Sequence, residues 1–91
     1  MRNYEFTVIF HSDDEKTQEG MDFMLEQFKS NGVEITKQED MGVRQTAYPI
    51  KKQDKGHYFY FELNADGATI NPMSQEFLLK SQILKFLFVA K

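Results

Sequence analysis

The apolar side chains change their spacing several times along this chain, and the order of those changes restricts the fold more than any other feature. Tyr4, Phe6, Val8 and Phe10 recur at every second residue with Glu5, Thr7 and Ile9 between them, the period of a strand with one fully buried face. Beyond Ser12 and Glu15, which have capping-box spacing, Met21, Met24, Leu25 and Phe28 recur at helical spacing until Asn31-Gly32 stops them. This predicts a helix from Asp13 to Ser30. At that spacing the methionine and aromatic stripe reads as core rather than as a cofactor box. The acids Asp13, Asp14 and Glu15 would complement the dipole at its start.

Extended patterning returns at Val33 to Lys37, is interrupted at Met41-Gly42, where the glycine suggests a bulge, and resumes through Val43 to Lys51. Pro49 has no N–H to give a ladder, so this strand belongs at a sheet edge. Lys51 to Gly56 reads as a polar, basic hairpin loop. His57 to Leu63 then reads as a third strand, with Phe59, Phe61 and Leu63 on the buried side and Tyr58, Tyr60 and Glu62 on the other. Asn71-Pro72 offers an N-cap and a first-turn proline ahead of Met73, Phe77 and Leu78. A start nearer Asp66 would instead put Pro72 inside the helix. Ile83 to Ala90 is a last strand, apolar on both faces.

The order β-α-β-β-α-β with right-handed crossovers gives an α+β fold, the ferredoxin-like split βαβ. Its four-stranded antiparallel sheet carries both helices on one face, in a single domain spanning 1–91. The other face of the sheet has no cover from the chain. On this reading it carries Ile9, Tyr58 and Tyr60, joined by Phe86 and Phe88, and an aromatic face of that kind calls for a partner.

Composition narrows the chemistry. With no cysteine, disulfides, thiolate metal sites and a cysteine nucleophile are excluded, which fits a reducing cytoplasm. The apolar run Phe6 to Phe10, with charge ahead of it, is too short for a signal or a membrane span. His11 and His57, far apart in sequence, support neither a zinc site nor an acid-base pair and read as surface residues. There is no Gly-rich phosphate loop, so a small enzyme or ligand-binding regulator on this fold lacks its chemistry. The net charge of −3 is unfavourable for binding nucleic acid, but it is unevenly spread. Residues 11–40 hold nine acids, whereas 41–61 hold Arg44, Lys51, Lys52 and Lys55 against Asp54 alone. A two-faced molecule, one side turned to nucleic acid, is compatible with this asymmetry; two ordinary solvated surfaces are the plainer reading.

The stretch Gly42-Val43-Arg44-Gln45-Thr46-Ala47-Tyr48-Pro49-Ile50-Lys51 resembles the signature of the bacterial small-subunit ribosomal protein six family. That signature runs glycine, any residue, basic, polar, leucine, small, tyrosine, any residue, isoleucine, then basic or small. Thr46 stands where the family has leucine. Arg2-Asn3-Tyr4-Glu5 and Gly56-His57-Tyr58 extend the likeness, while Lys85 stands where arginine is usual.

The resemblance implies a structural, non-catalytic protein of the cytoplasmic ribosome, without cofactor or metal. It would bind the central domain of the small-subunit ribosomal RNA together with small-subunit ribosomal protein eighteen. Arg2, Arg44, Lys51, Lys52 and Lys85 are the expected RNA-binding residues, with Tyr4, Tyr48 and Lys55 as further candidates for RNA or rim contact. Tyr58, Tyr60 and Phe88, with the edge of strand two, are the expected partner-protein surface. The alternative is a stand-alone RNA-recognition motif binding single strands, suggested by Lys55-Gly56-His57-Tyr58-Phe59-Tyr60-Phe61. It would require His57 and Phe59 on the open face, against the alternation above.

Overall fold

The computed structural model describes residues 1–91, the side chain of Ala47 excepted. Strand β1 (Arg2–His11) leads into helix α1 (Asp14–Ser30), then β2 (Glu34–Ile50) and β3 (Gln53–Ala65). Helix α2 (Ile70–Leu78) and strand β4 (Ile83–Ala90) complete the order β-α-β-β-α-β. The sheet is four-stranded and antiparallel, as the sequence reading expects, and its strand order is β2-β3-β1-β4. Both helices cover one face: Phe6, fully buried at the centre of β1, meets Phe28 of α1 at 5.6 Å and Phe77 of α2 at 6.0 Å. Met21, Met24 and Met73 fill the remaining space between helices and sheet.

Local chemistry moves several boundaries. The cap of α1 is Asp13 rather than Ser12: its backbone is extended, and its carboxylate accepts from the amides of Glu15 and Lys16 at 3.0 and 3.2 Å. Helix α2 follows a 3₁₀ turn (Gly67–Thr69) capped by Asp66, which places Pro72 in its first turn. The missing N–H there has no partner within α2 in any case. Strand β2 is an edge strand, and it does bulge at Met41, with Gly42 at φ +82 and its amide donating to the Asp40 carboxylate at 2.8 Å.

The expected loop from Lys51 to Gly56 is a correction. Strand β3 begins at Gln53, and the hairpin closes through Lys51 and Lys52 alone, both at positive φ (49 and 67). Two consecutive left-handed residues between the paired Ile50 and Gln53 are the pattern of a type I′ turn. Beyond the pair Gln45–Lys55 the ladder lapses until Ile50 meets Gln53. Gln53, Asp54 and Lys55 show no apolar alternation.

Strand β4 brings the second correction. A bulge at Leu84 shifts its register against β1, pairing Ile9 with Lys85, Val8 with Phe86 and Phe6 with Phe88. Phe86 and Phe88 therefore face the helices, and Phe88 lies 4.3 Å from Phe6, centroid to centroid. Phe88 is half-buried against the core on the helix side, not part of an open partner surface. Lys85, Leu87 and Val89 occupy the open face in its place, with Leu87 59% and Val89 45% exposed.

Candidate nucleic-acid interface

The bulges and the tight turn of the β2–β3 hairpin gather most of the expected cations at one end of the sheet. Arg44 pairs across the ladder with Gly56, which in turn faces His11, and Lys55 pairs with Gln45 one step nearer the tip. Lys51 and Lys52 form the turn itself, and Lys85 sits two strands away, opposite Ile9. All five are exposed. Among the described residues the ion pairs are Lys37–Glu62, Lys91–Glu62 and His57–Asp40, so none of these cations is neutralised by a carboxylate.

The individual placements differ in kind. Arg44 is held only through Nε, which donates to the Met41 carbonyl at 3.2 Å, leaving the outer nitrogens of the guanidinium to solvent. Lys51 is committed internally, its ammonium donating to the carbonyls of Lys80 (3.4 Å) and Ile83 (2.9 Å). It ties the hairpin tip to the α2–β4 connection. Arg2 is not part of the cluster: it starts β1 while the cluster lies beyond the other end, and nine residue rises of about 3.3 Å separate Arg2 from His11 by roughly 30 Å.

The tyrosines separate likewise. Tyr48 is 79% exposed near the tip, in an irregular stretch closed by the buried Thr46, whose hydroxyl donates to the Tyr48 carbonyl at 2.6 Å. Tyr4 is core, edge-on to Phe88, with its hydroxyl beside Gly67 at the rim. Tyr58 and Tyr60 lie half-buried on the open face, in rows with Ile9 and Thr7 of β1.

His57 departs from the surface reading. Its ring stacks on Phe59 at 4.6 Å on the helix side, and a ring nitrogen meets the Asp40 carboxylate at 2.7 Å. That hydrogen bond, joined by the Gly42 amide, holds the Asp40 carboxyl below its usual range. His57 and Phe59 are thus absent from the open face, where an RNA-recognition motif would need them.

At the end of the open face away from the cluster, charge is balanced. Glu62 binds Lys91 at 2.7 Å and Lys37 at 3.8 Å, and the Lys91 hydrogen bond lowers its carboxyl while raising the Lys91 ammonium. Partial desolvation, then Glu5 and Glu62, push the Tyr60 phenol up. The open face therefore grades from free cations at Arg44 and Lys85, across tyrosines and leucine, to a paired acidic end. Sequence reasoning missed Leu87 and Val89, because an all-apolar strand carries no internal signal of its register.

Among the described residues no group of three or more His, Cys, Asp or Glu could hold a metal ion, and no helix is long and apolar enough to cross a membrane. An antiparallel α+β scaffold braced by two helices, with cations at one end that no carboxylate neutralises, is an arrangement suited to phosphate contacts.

The family model of ribosomal protein S6 matches residues 3–90, and the chain belongs to that family. A relative from Treponema denticola, small ribosomal subunit protein bS6, is 37% identical over 98% of this chain and 96% of its own length. The bS6 of Vesicomyosocius okutanii is 37% identical over 100% and 81%. A crystal structure of 30S ribosomal protein S6 from Thermotoga maritima superposes with a TM-score of 0.87 at 22% identity, covering 99% of this chain and 87% of that one. The C-terminal domain of MgtC from Mycobacterium tuberculosis shares the fold too, with a TM-score of 0.67 at 13% identity over 100% and 88%. The fold alone therefore does not set the function.

Proposed function

We propose that this chain is a structural component of the small subunit of the cytoplasmic ribosome, a single domain that binds the central domain of the small-subunit ribosomal RNA together with small-subunit ribosomal protein eighteen. The observation that carries the reading is the convergence of Arg44, Lys52, Lys55 and Lys85 at one end of the sheet with no carboxylate partner, in a chain matching the family over 3–90. Free guanidinium nitrogens of Arg44 suit phosphate oxygens, and such contacts fix position rather than read sequence. Arg2 would meet a separate stretch of RNA, since it lies apart from this group, whereas the exposed Tyr48 stands beside it near the tip.

A net charge of −3 limits what the cations achieve alone, so firm binding needs the partner protein. The partner's surface is the open face around Tyr58, Tyr60 and Leu87, with the β2 edge beside it. Titration of a central-domain RNA fragment with and without the partner tests this. Weak binding alone and firm binding together is the expected result. Arg44→Ala should cost roughly 1–3 kcal/mol and flatten the salt dependence without changing the melting curve. Tight, partner-independent binding at physiological salt, or an Arg44→Ala variant with unchanged affinity, overturns the assignment.

A further inference from the structure

The two edges of the sheet are protected unequally. Strand β2 is broken by register shifts at Thr36, Met41 and Thr46 to Pro49, and carries Glu34, Lys37, Glu39, Asp40 and Arg44. Bulges, charge and proline are the devices that keep an edge from pairing with other chains. Strand β4 has its irregularity at Leu84, and from Lys85 to Ala90 it is regular, without proline, with Lys85 its single charge.

The backbone of that stretch has donors and acceptors to spare. The Lys91 amide donates to the Asn3 carbonyl at 3.0 Å, and hydrogen-bonded pairs alternate along an antiparallel ladder. Val89, Leu87 and Lys85 therefore address β1, while Phe86, Phe88 and Ala90 turn their N–H and C=O groups to the outer edge.

Side-chain space lies on both sides of the same edge. On the helix side, Phe77, Leu78, Ile83 and Phe86 line a hollow of about 210 Å³, with Lys51 and Lys85 at its rim. On the open side, Thr7, Ile9 and Leu87 line another of about 220 Å³, again bordered by Lys85. Because the Lys51 ammonium binds the Ile83 carbonyl, the hairpin tip closes the N-terminal end of the edge.

We infer that the outer edge of β4 docks an extended segment of another protein, added as an antiparallel strand, with apolar residues opposite Phe86 and Phe88 and an acidic residue opposite Lys85. Strand addition draws affinity from the main chain and specificity from alternate side chains. Residues opposite Phe86 and Phe88 point to the helix side, the first of them over the apolar hollow; the residue opposite Lys85 points to the open side, beside an ammonium without a carboxylate. A second copy of this chain fits poorly, since Ile83–Ala90 contains no acid to offer Lys85. Nucleic acid satisfies neither the apolar hollow nor the ladder of outward amides.

The test uses the full chain without RNA, which separates it from the ribosomal RNA reading even though Lys85 serves both. The probes are a capped nonapeptide alternating valine and glutamate, one alternating valine and lysine, and the valine–glutamate peptide N-methylated at alternate residues. Amide exchange of Phe86 and Phe88 is followed by NMR. The valine–glutamate peptide should slow exchange there at least tenfold, the lysine peptide should bind at least tenfold more weakly, and the N-methylated one should not bind. Lys85→Glu should reverse the preference between the two charged peptides. No binding at millimolar peptide, equal binding of both charged peptides, protection along β2 instead, or protection that grows with protein concentration alone would each overturn the proposal.

Discussion

Replacing Lys52 with glycine should make the protein more stable and a poorer RNA binder. Lys52 sits at φ 67, the second of two left-handed residues in the hairpin turn. A side chain in that region costs about 1–2 kcal/mol, because Cβ crowds the following carbonyl oxygen. Glycine removes the crowding but gives back roughly 0.5–1 kcal/mol through the larger freedom of the unfolded chain. The Lys52 side chain makes no hydrogen bond or ion pair, so no contact energy is lost with it. The net gain is about 0.5–1 kcal/mol, or some 3–6 °C in Tm for a domain of this size. Lys51→Gly is the comparison: it relieves a similar conformation at φ 49 but gives up the hydrogen bonds to Lys80 and Ile83, so it should gain nothing or lose stability. In the RNA titration, Lys52→Gly should reduce the slope of log K against log salt by about 0.9, one phosphate contact. Thermal melts and salt titrations of both variants check this. A lower Tm for Lys52→Gly refutes the strain argument, and an unchanged salt slope removes Lys52 from the RNA contact.

Phe88→Ala should destabilise the fold by about 3 kcal/mol in urea unfolding, as expected for a ring packed on Phe6 and Phe77; a near-neutral result would return Phe88 to the surface. Gly56→Ala should cost about 1–3 kcal/mol, because an added Cβ would run into the Ile9 side chain and stand 3.3 Å from the Phe10 carbonyl. The lowered carboxyls of Asp40 and Glu62 give stability that is fully present above the usual carboxylate range and lost as pH falls through and below it, from about pH 4 downward. The urea midpoint should drop over that window, and Asp40→Asn and Glu62→Gln should each flatten the drop. Tyr60→Ala should weaken partner binding by about 2 kcal/mol while Glu19→Ala on α1 leaves it alone; the opposite pattern would move the contact to the acidic helix.

What the sequence made legible, and what it did not, follows from how each segment is constrained. Strand β1 and the centre of β3 were readable because one face is buried against helices, so Tyr4, Phe6, Val8 and Phe10, and Phe59, Phe61 and Leu63, must alternate with other residues. The bulge at Gly42 and the edge position of Pro49 were readable because backbone chemistry allows few alternatives. Gln53 to Lys55 were not, since the pairing opposite them lapses between Gln45 and Ile50 and these polar residues carry no apolar period. The cation cluster was legible in composition but not in extent: adjacency in the hairpin foretold Arg44, Lys52 and Lys55, whereas the 30 Å or so isolating Arg2 appears only once β1 is laid out at about 3.3 Å per residue. Strand β4 is the instructive failure. With Ile83 to Ala90 apolar on both sides of the pleat apart from Lys85, either parity satisfies the hydrophobic pattern, and the choice falls to Leu84. That one extra residue turns Phe86 and Phe88 inward, where Phe77 of α2 receives them at 5.5 and 6.3 Å, and leaves Lys85, Leu87 and Val89 outward. A single bulge thus decides whether β4 adds aromatic rings or a lysine and two aliphatic side chains to the open face beside Tyr58 and Tyr60.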